Sequence, residues 1–180
     1  MSRISRTFID HACYHIITRG NQKQPIFKEE YDYFKYLSII LKAKKKYAIF
    51  LYAYCLMPNH IHLLIEPICS RKISKFMHWV NRGYTAYFNA KYNCVGHLWQ
   101  GRFISKPIVK GSYLIHCATY IESNPLRANL VNDVASYQWS SYKERCLMSN
   151  ISITDLIKVE DFSSMAGDSF NLKIGDTLKV

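Results

Sequence analysis

The stretch Tyr54–Cys55–Leu56–Met57–Pro58–Asn59–His60–Ile61–His62–Leu63–Leu64–Ile65–Glu66 sets the architecture. It reads as strand, tight turn, strand. Proline fixes φ in Met57–Pro58–Asn59, and asparagine tolerates turn conformations. The apolar, β-branched run that follows is strand-like. Side chains alternate along a strand, so His60 and His62 share one side and Ile61 and Leu63 the other. Two imidazoles at i and i+2 can share one divalent metal ion. Equally, one can cap the turn while the other is a hydrogen-bonded core residue.

Outward from this hairpin, the periodicity gives the remaining elements. His11 to Thr18 alternates loosely and reads as a first strand, closed by the turn Arg19–Gly20–Asn21. A cation beside exposed backbone N–H groups can hold a phosphate, although an ordinary turn has the same composition. His15 is a strand histidine that lies near the pair if its strand neighbours theirs. Glu29 to Tyr47 reads as a helix, with Glu29, Glu30 and Asp32 in its first turn and Lys44, Lys45 and Lys46 in its last. Phe34, Leu37 and Leu41 form its expected core stripe. Ile49 to Leu56 is the second strand. Glu66 falls on the histidine face of the third, as an extra ligand or a solvated carboxylate.

Arg71 to Tyr92 reads as a second helix, with Ile73, Met77, Val80, Tyr84 and Tyr87/Phe88 inward and Arg71, Lys72, Lys75 and Arg82 outward. The loop Asn93 to Phe103 contains Gly96, Trp99, Gly101 and Arg102. Such a loop suits a nucleic-acid backbone with a base stacked on Trp99, or a surface loop pinned by one buried tryptophan. Ile104 to Val109 is a strand crossed by Pro107, which points to an edge position or a strand end. Ser112 to Ser123 is a third helix, capped by Ser112 and stopped by Pro125. Its stripe Tyr113, His116, Cys117, Tyr120 and Asn124 is polar for a core face, so it meets something other than hydrocarbon. The first six elements, β-α-β-β-α-β, predict an α+β fold. It is the ferredoxin-like (split βαβ) antiparallel sheet with two helices on one face, plus the third helix carrying Tyr120.

Charge points to the partner. The chain has 180 residues with 24 basic and 13 acidic side chains, a net charge of +11. Residues 1–150 hold 21 basic and 8 acidic side chains (+13), and residues 151–180 hold 3 and 5 (−2). The expected division is therefore a basic domain over 1–150 and a C-terminal extension over 151–180. Such an excess favours a polyanion. Fourteen tyrosines, nine phenylalanines and three tryptophans add stacking surface for unpaired bases. None of the six cysteines forms a C-x-x-C pair, which argues against a cysteine zinc site; they read as reduced and mostly buried. No apolar run reaches membrane-spanning length, and the N-terminus lacks a signal-peptide core, so the expected place is cytoplasmic and nucleoid-associated, with no membrane partner.

Five stretches in order, YHIITRGNQKQPIF (Tyr14–Phe27), YCLMPNHIHLLIEP (Tyr54–Pro67), GHLWQGRF (Gly96–Phe103), YIESNPLRANLV (Tyr120–Val131) and YQWSSY (Tyr137–Tyr142), resemble the single-tyrosine HUH transposases. They are most similar to the REP-associated tyrosine transposase subgroup. The resemblance implies an enzyme that cuts and rejoins single-stranded or hairpin DNA. It implies metal binding by His60 and His62 and nucleophilic attack by Tyr120, leaving a 5′-phosphotyrosine and a free 3′-OH. Asn124 stands where many relatives have a glutamine that completes the metal site, and it is one methylene shorter. Ser123 stands where relatives often carry an apolar residue. Mg²⁺ or Mn²⁺ would polarise the scissile phosphate. Arg19, Asn21, Trp99, Arg102 and Arg127 are the candidate nucleic-acid contacts, and there is room for a homodimer. The rival reading is a catalytically idle basic domain that binds hairpin DNA or RNA. Retention of His60, His62 and Tyr120 together favours the enzyme.

Overall fold

The computed structural model describes residues 8–146 and 153–157. Most of the 151–180 extension and the first seven residues lie outside the described residues. Four strands form the sheet: β1 (Cys13–Arg19), β2 (Ile49–Met57), β3 (His60–Pro67) and β4 (Ile104–Ile108). The helices are α1 (Glu30–Tyr47), α2 (Lys72–Tyr92), α3 (Ser112–Glu122), α4 (Asn124–Arg127) and α5 (Tyr142–Cys146). The strand order is β2-β3-β1-β4, and every pairing is antiparallel. This is the expected ferredoxin-like sheet, with the proline-bearing β4 at an edge.

Alternation divides the sheet into two faces. Ile16, Leu51, Tyr54, Leu56, Ile61, Leu63 and Ile65 pack against α1 and α2 in one core cluster. Cys13, Ala53, Cys55, Met57 and Leu64 point the other way and meet Leu114, Ala118 and Ile121 of α3. The third helix therefore covers the open face of the sheet, the face that holds the histidines. Tyr52 is the extra residue of a β-bulge, since Leu51 pairs with Ile65 but Ala53 with Leu64. The bulge restores the alternation that places Cys55 opposite His62.

Local details differ from expectation in instructive ways. The buried face of α1 is Tyr36, Leu37, Ile40 and Ala43, whereas Phe34 is exposed and meets Trp139 edge-on at 5.1 Å. Helical spacing was present, but the stripe is rotated by about one residue. Asp32 is fully buried beneath it. Its carboxylate accepts from Tyr87 Oη (2.7 Å), Lys91 Nζ (2.8 Å), Tyr92 Oη (2.7 Å) and the Lys28 N–H (2.8 Å). These bonds tie α1 to α2. Gly111, not Ser112, precedes α3, with φ of 90°, a backbone region that side chains disfavour. Of the six cysteines, all free, only Cys13 and Cys55 are buried, while Cys94 and Cys146 are exposed.

The aromatic tail closes the β2 edge. The Leu56 N–H donates to the Trp139 carbonyl (2.9 Å), the Ser141 N–H to the Tyr54 carbonyl (3.0 Å), and Tyr137 Oη to the Leu56 carbonyl (2.7 Å). Further along, the Asp155 N–H donates to the Leu51 carbonyl and the Leu51 N–H to Asp155 Oδ2, both at 2.7 Å. An edge so covered no longer offers free ladder groups. No helix among the described residues is long and apolar enough to cross a membrane.

Candidate active site

The tight turn at Pro58–Asn59 fixes where β3 begins. The Gly20 N–H donates to the Asn59 carbonyl (2.8 Å) and the Ile26 N–H to the Pro58 carbonyl (2.8 Å). A Cβ on Gly20 would lie 2.5 Å from the Gln24 carbonyl oxygen, so only glycine fits beside the turn. His60 and His62 follow on one face, with ring centroids 4.9 Å apart. His15 of β1 joins them, because β1 pairs with β3 and brings His15 opposite Leu64, one diagonal step from His62. The His15 Nε2 and His62 Nδ1 atoms are 2.9 Å apart. His60 Nδ1 is 2.6 Å from Asn59 Oδ1.

Burial keeps these imidazoles uncharged. It pushes His62 down to about 3, helped by neighbouring His15, His60 and Arg19. It brings His15 to about 4, with Lys106 adding to the effect. It also lowers His60, again with Arg19 contributing. Neutral imidazole is the form that ligates a metal.

Among the described residues four buried side-chain polar atoms lack a hydrogen-bond partner, and the one that belongs to this histidine cluster is His62 Nε2. A buried ring nitrogen beside a second neutral imidazole fits a divalent cation, which would take the lone pair that the protein leaves unused. Among the described residues no group of three or more His, Cys, Asp and Glu side chains could enclose an ion. A cation held here would draw on the two imidazoles of His60 and His62, and its remaining ligands would have to be oxygen donors. Glu66 does not complete it. It is buried at the far end of β3, accepting from Tyr52 Oη (2.8 Å) and paired with Lys110 (3.1 Å). It is neither ligand nor solvated carboxylate.

Tyr120 stands over this face from α3. Its ring meets His15 edge-on at 6.1 Å and is 42% exposed. The Arg127 guanidinium lies 4.9 Å above the same ring. α3 ends at Glu122 and α4 restarts at Asn124, with Pro125 in its first turn. The break turns Arg127 back over Tyr120. Asn124 Nδ2 donates to the carbonyls of Tyr120 (2.9 Å) and Ile121 (3.0 Å). The side chain is folded onto its own helix; both bonds use the nitrogen, not Oδ1, the atom a cation would take.

Glu122 secures the helix that carries Tyr120. Though buried, it accepts from Ser141 Oγ (2.6 Å) and from Arg145 Nε (2.9 Å) and Nη2 (3.0 Å). Sequence reasoning missed this clamp. The signal was there: Glu122 continues the apolar stripe Leu114, Ala118 and Ile121, and a carboxylate on such a stripe requires a partner.

The expected nucleic-acid contacts separate into three places. Arg19 is exposed at the end of β1, in register with His60. Asn21 follows it, and its N–H donates to the Leu98 carbonyl (2.8 Å). Trp99 corrects the expectation of a stacking platform. Its ring is only 8% exposed, packs near Tyr36 and Tyr84, and donates from Nε1 to the Asn81 carbonyl (3.1 Å). It pins the loop and also lines the groove beside Arg102. Arg102 is exposed and lines a groove of about 770 Å³ between α2 and the loop, together with His78, Arg82 and His97. Among the described residues no carboxylate lines that groove. The Gln100 N–H donates to the Arg19 carbonyl (2.9 Å), so the loop joins the groove to the histidine edge.

Comparison with known proteins places the chain. The family model described as "Transposase IS200 like" matches residues 9–124. No curated protein matches. Among solved structures, the chain is similar to a REP-associated tyrosine transposase bound to a REP hairpin, with a TM-score of 0.69 and 21% identity over 94% of this chain and 99% of that one. A putative transposase from Deinococcus radiodurans R1 matches with a TM-score of 0.46 and 16% identity over 72% of this chain and 92% of that one. The family match spans the sheet, the paired histidines and the tyrosine helix, and the chain belongs to the IS200-like transposase family.

Proposed function

We propose that this transposase cleaves and rejoins single-stranded or hairpin DNA in a metal-dependent reaction through a covalent 5′-phosphotyrosine on Tyr120. The observation that carries the reading is convergence. An exposed tyrosine with a guanidinium above it stands edge-on to His15, whose Nε2 is 2.9 Å from His62, and His62 lies beside His60 with a buried, unpartnered Nε2.

His60 and His62 would hold Mg²⁺ or Mn²⁺. Bound there, it would supply Lewis-acid polarisation of the scissile phosphate. The chain's own residues do the rest. The Tyr120 hydroxyl gives its proton to solvent and its Oη attacks phosphorus. The bond to the 3′ oxygen breaks, and that oxygen takes a proton to become a free 3′-OH. Arg127, close to the ring, offsets the charge of the phenolate and of the phosphate it attacks. The phosphodiester energy is retained in the phosphotyrosine, so attack by a 3′-OH reverses the step and rejoins strands.

The DNA is held elsewhere. Arg82 and Arg102, with His78 and His97, form a carboxylate-free groove suited to the paired stem of a hairpin, as sugar-phosphate contacts need cations and no base reading. Arg19, at the loop junction, leads the unpaired strand toward the histidines.

The rival reading, an idle binding domain, draws on Asn124, whose amide nitrogen is tied to the Tyr120 and Ile121 carbonyls and so holds the short side chain against the helix. One experiment separates the two. Hairpin-bearing single-stranded oligonucleotides are incubated with the protein and Mn²⁺, and denaturing gels are examined for a covalent adduct. The enzyme gives a slower-migrating, protease-sensitive species that Tyr120→Phe abolishes. Binding without adduct or cleavage in either Mg²⁺ or Mn²⁺ supports the idle domain.

A further inference from the structure

We infer that His15 is a positioning residue for His62: it accepts a hydrogen bond from the His62 Nδ1–H and so leaves the Nε2 lone pair of His62 bare for a cation. The inference rests on the metal reading above and names the residue that makes that site competent.

Two ring nitrogens 2.9 Å apart share one proton, so the buried pair has two arrangements. In the first, His62 donates from Nδ1, His15 carries its own proton on Nδ1, and His62 Nε2 is an unprotonated acceptor. In the second, His15 donates from Nε2, and the proton of His62 is forced onto its own Nε2. That atom is buried without a partner, so the second arrangement leaves an orphaned N–H donor. Buried donors without acceptors are rarer and costlier than under-used acceptors. An N–H directed at the open side would also repel a cation. The first arrangement avoids both penalties.

His60 shows the same pattern by independent means. Asn59 Nδ2 donates to the Lys23 carbonyl (3.1 Å), which fixes the amide so that Oδ1 faces His60. An amide oxygen only accepts, so His60 donates from Nδ1 and its Nε2 is also unprotonated. Both candidate ligands are then oriented by a partner on Nδ1, as ligating histidines commonly are. His15 is locked in this role by β1–β3 pairing and by the Tyr120 ring at its edge. It thereby also links the ring of the proposed nucleophile to the ligand.

The test uses the full chain labelled with ¹⁵N-histidine. Long-range ¹H–¹⁵N spectra of the metal-free protein should show His62 protonated on Nδ1; protonation on Nε2 overturns the inference. Mn²⁺ alone is then titrated and followed by electron paramagnetic resonance of the free ion. His15→Phe keeps a ring but cannot accept, and should weaken Mn²⁺ binding by about 10–100-fold. His15→Gln supplies an accepting Oε1 and should recover most of that loss. Unchanged affinity in His15→Phe overturns the inference if His60→Ala loses Mn²⁺. If His60→Ala also binds as the wild type does, the metal reading itself falls, a result the metal-free tautomer measurement distinguishes. Failure of His15→Gln to recover while its spectrum remains that of a folded chain assigns His15 to packing and also overturns the inference.

Discussion

At the scale of single residues, the site depends on a few atoms in defined protonation states. His62 is held neutral by burial, and its titration lies far below physiological pH. Protonation of His62 should therefore cause no loss of activity between pH 8 and pH 6, and a pH–rate profile for adduct formation checks this. A drop centred near 6.5 would mean that an ordinary, exposed histidine controls the step. Tyr120→Phe removes one oxygen from a partly exposed ring whose packing against His15 survives. Its stability should stay within about 0.5 kcal/mol of wild type in urea unfolding while adduct formation vanishes. Tyr113→Phe, on the exposed side of the same helix, should leave adduct formation intact.

Between elements, the tyrosine helix is held by a buried ion pair, and α1 and α2 by a buried carboxylate. Removing Glu122 strands Arg145 in a largely buried position. Breaking such a pair costs about 3 kcal/mol or more. Glu122→Ala should be destabilised by that order in urea unfolding, and Glu122→Ala/Arg145→Met should be less so than the single change. Asp32 gives a pH signature. Burial alone would raise its pKa, but bonds from Lys91, Tyr92, the Lys28 N–H and Tyr87 outweigh it and hold the carboxyl at about 2. A depressed carboxyl contributes stability above its unfolded value of ~3.9, and that contribution is lost as pH falls toward the folded value. Unfolding midpoints should drop between about pH 4 and pH 2, and the drop should be smaller in Asp32→Asn, which starts lower.

The elements were largely legible in the sequence because their periods differ, two for strands and about 3.6 for helices. The pairing of His60 with His62 followed from that alone. The contribution of His15 did not, because it needs the β1–β3 register, which no local pattern encodes. Trp99 was read with two alternatives, and the buried one holds; an aromatic residue in a glycine-bearing loop serves packing and stacking equally well. Phe34 misled because α1 is apolar on more than one face, and only contact with α2 and the sheet selects Tyr36 and Ile40. The partner of Glu122 lies beyond two turns and a short helix, out of reach of spacing rules.

At the scale of the whole molecule, the basic groove and the histidine–tyrosine face lie on opposite sides of the sheet, although Arg19 and Arg127 also carry positive charge onto the second. The groove between α2 and the loop lies on the helix-covered side, and Tyr120 and the histidines on the other, joined at the edge by Arg19 and Gln100. Hairpin affinity should fall steeply with salt, and Arg82→Ala and Arg102→Ala should each reduce the slope of log affinity against log salt by about 1. Fluorescence anisotropy at several salt concentrations checks this. An unchanged slope in both variants would move the stem away from the groove.

The central claim is that Tyr120 becomes covalently joined to the DNA. The most direct measurement is mass-spectrometric peptide mapping of the adduct trapped with a hairpin-bearing single strand and Mn²⁺. The expected result is a phosphotyrosyl linkage on the peptide containing Tyr120 and no other. A linkage at any other residue, or strand cleavage with no adduct at all, would contradict it.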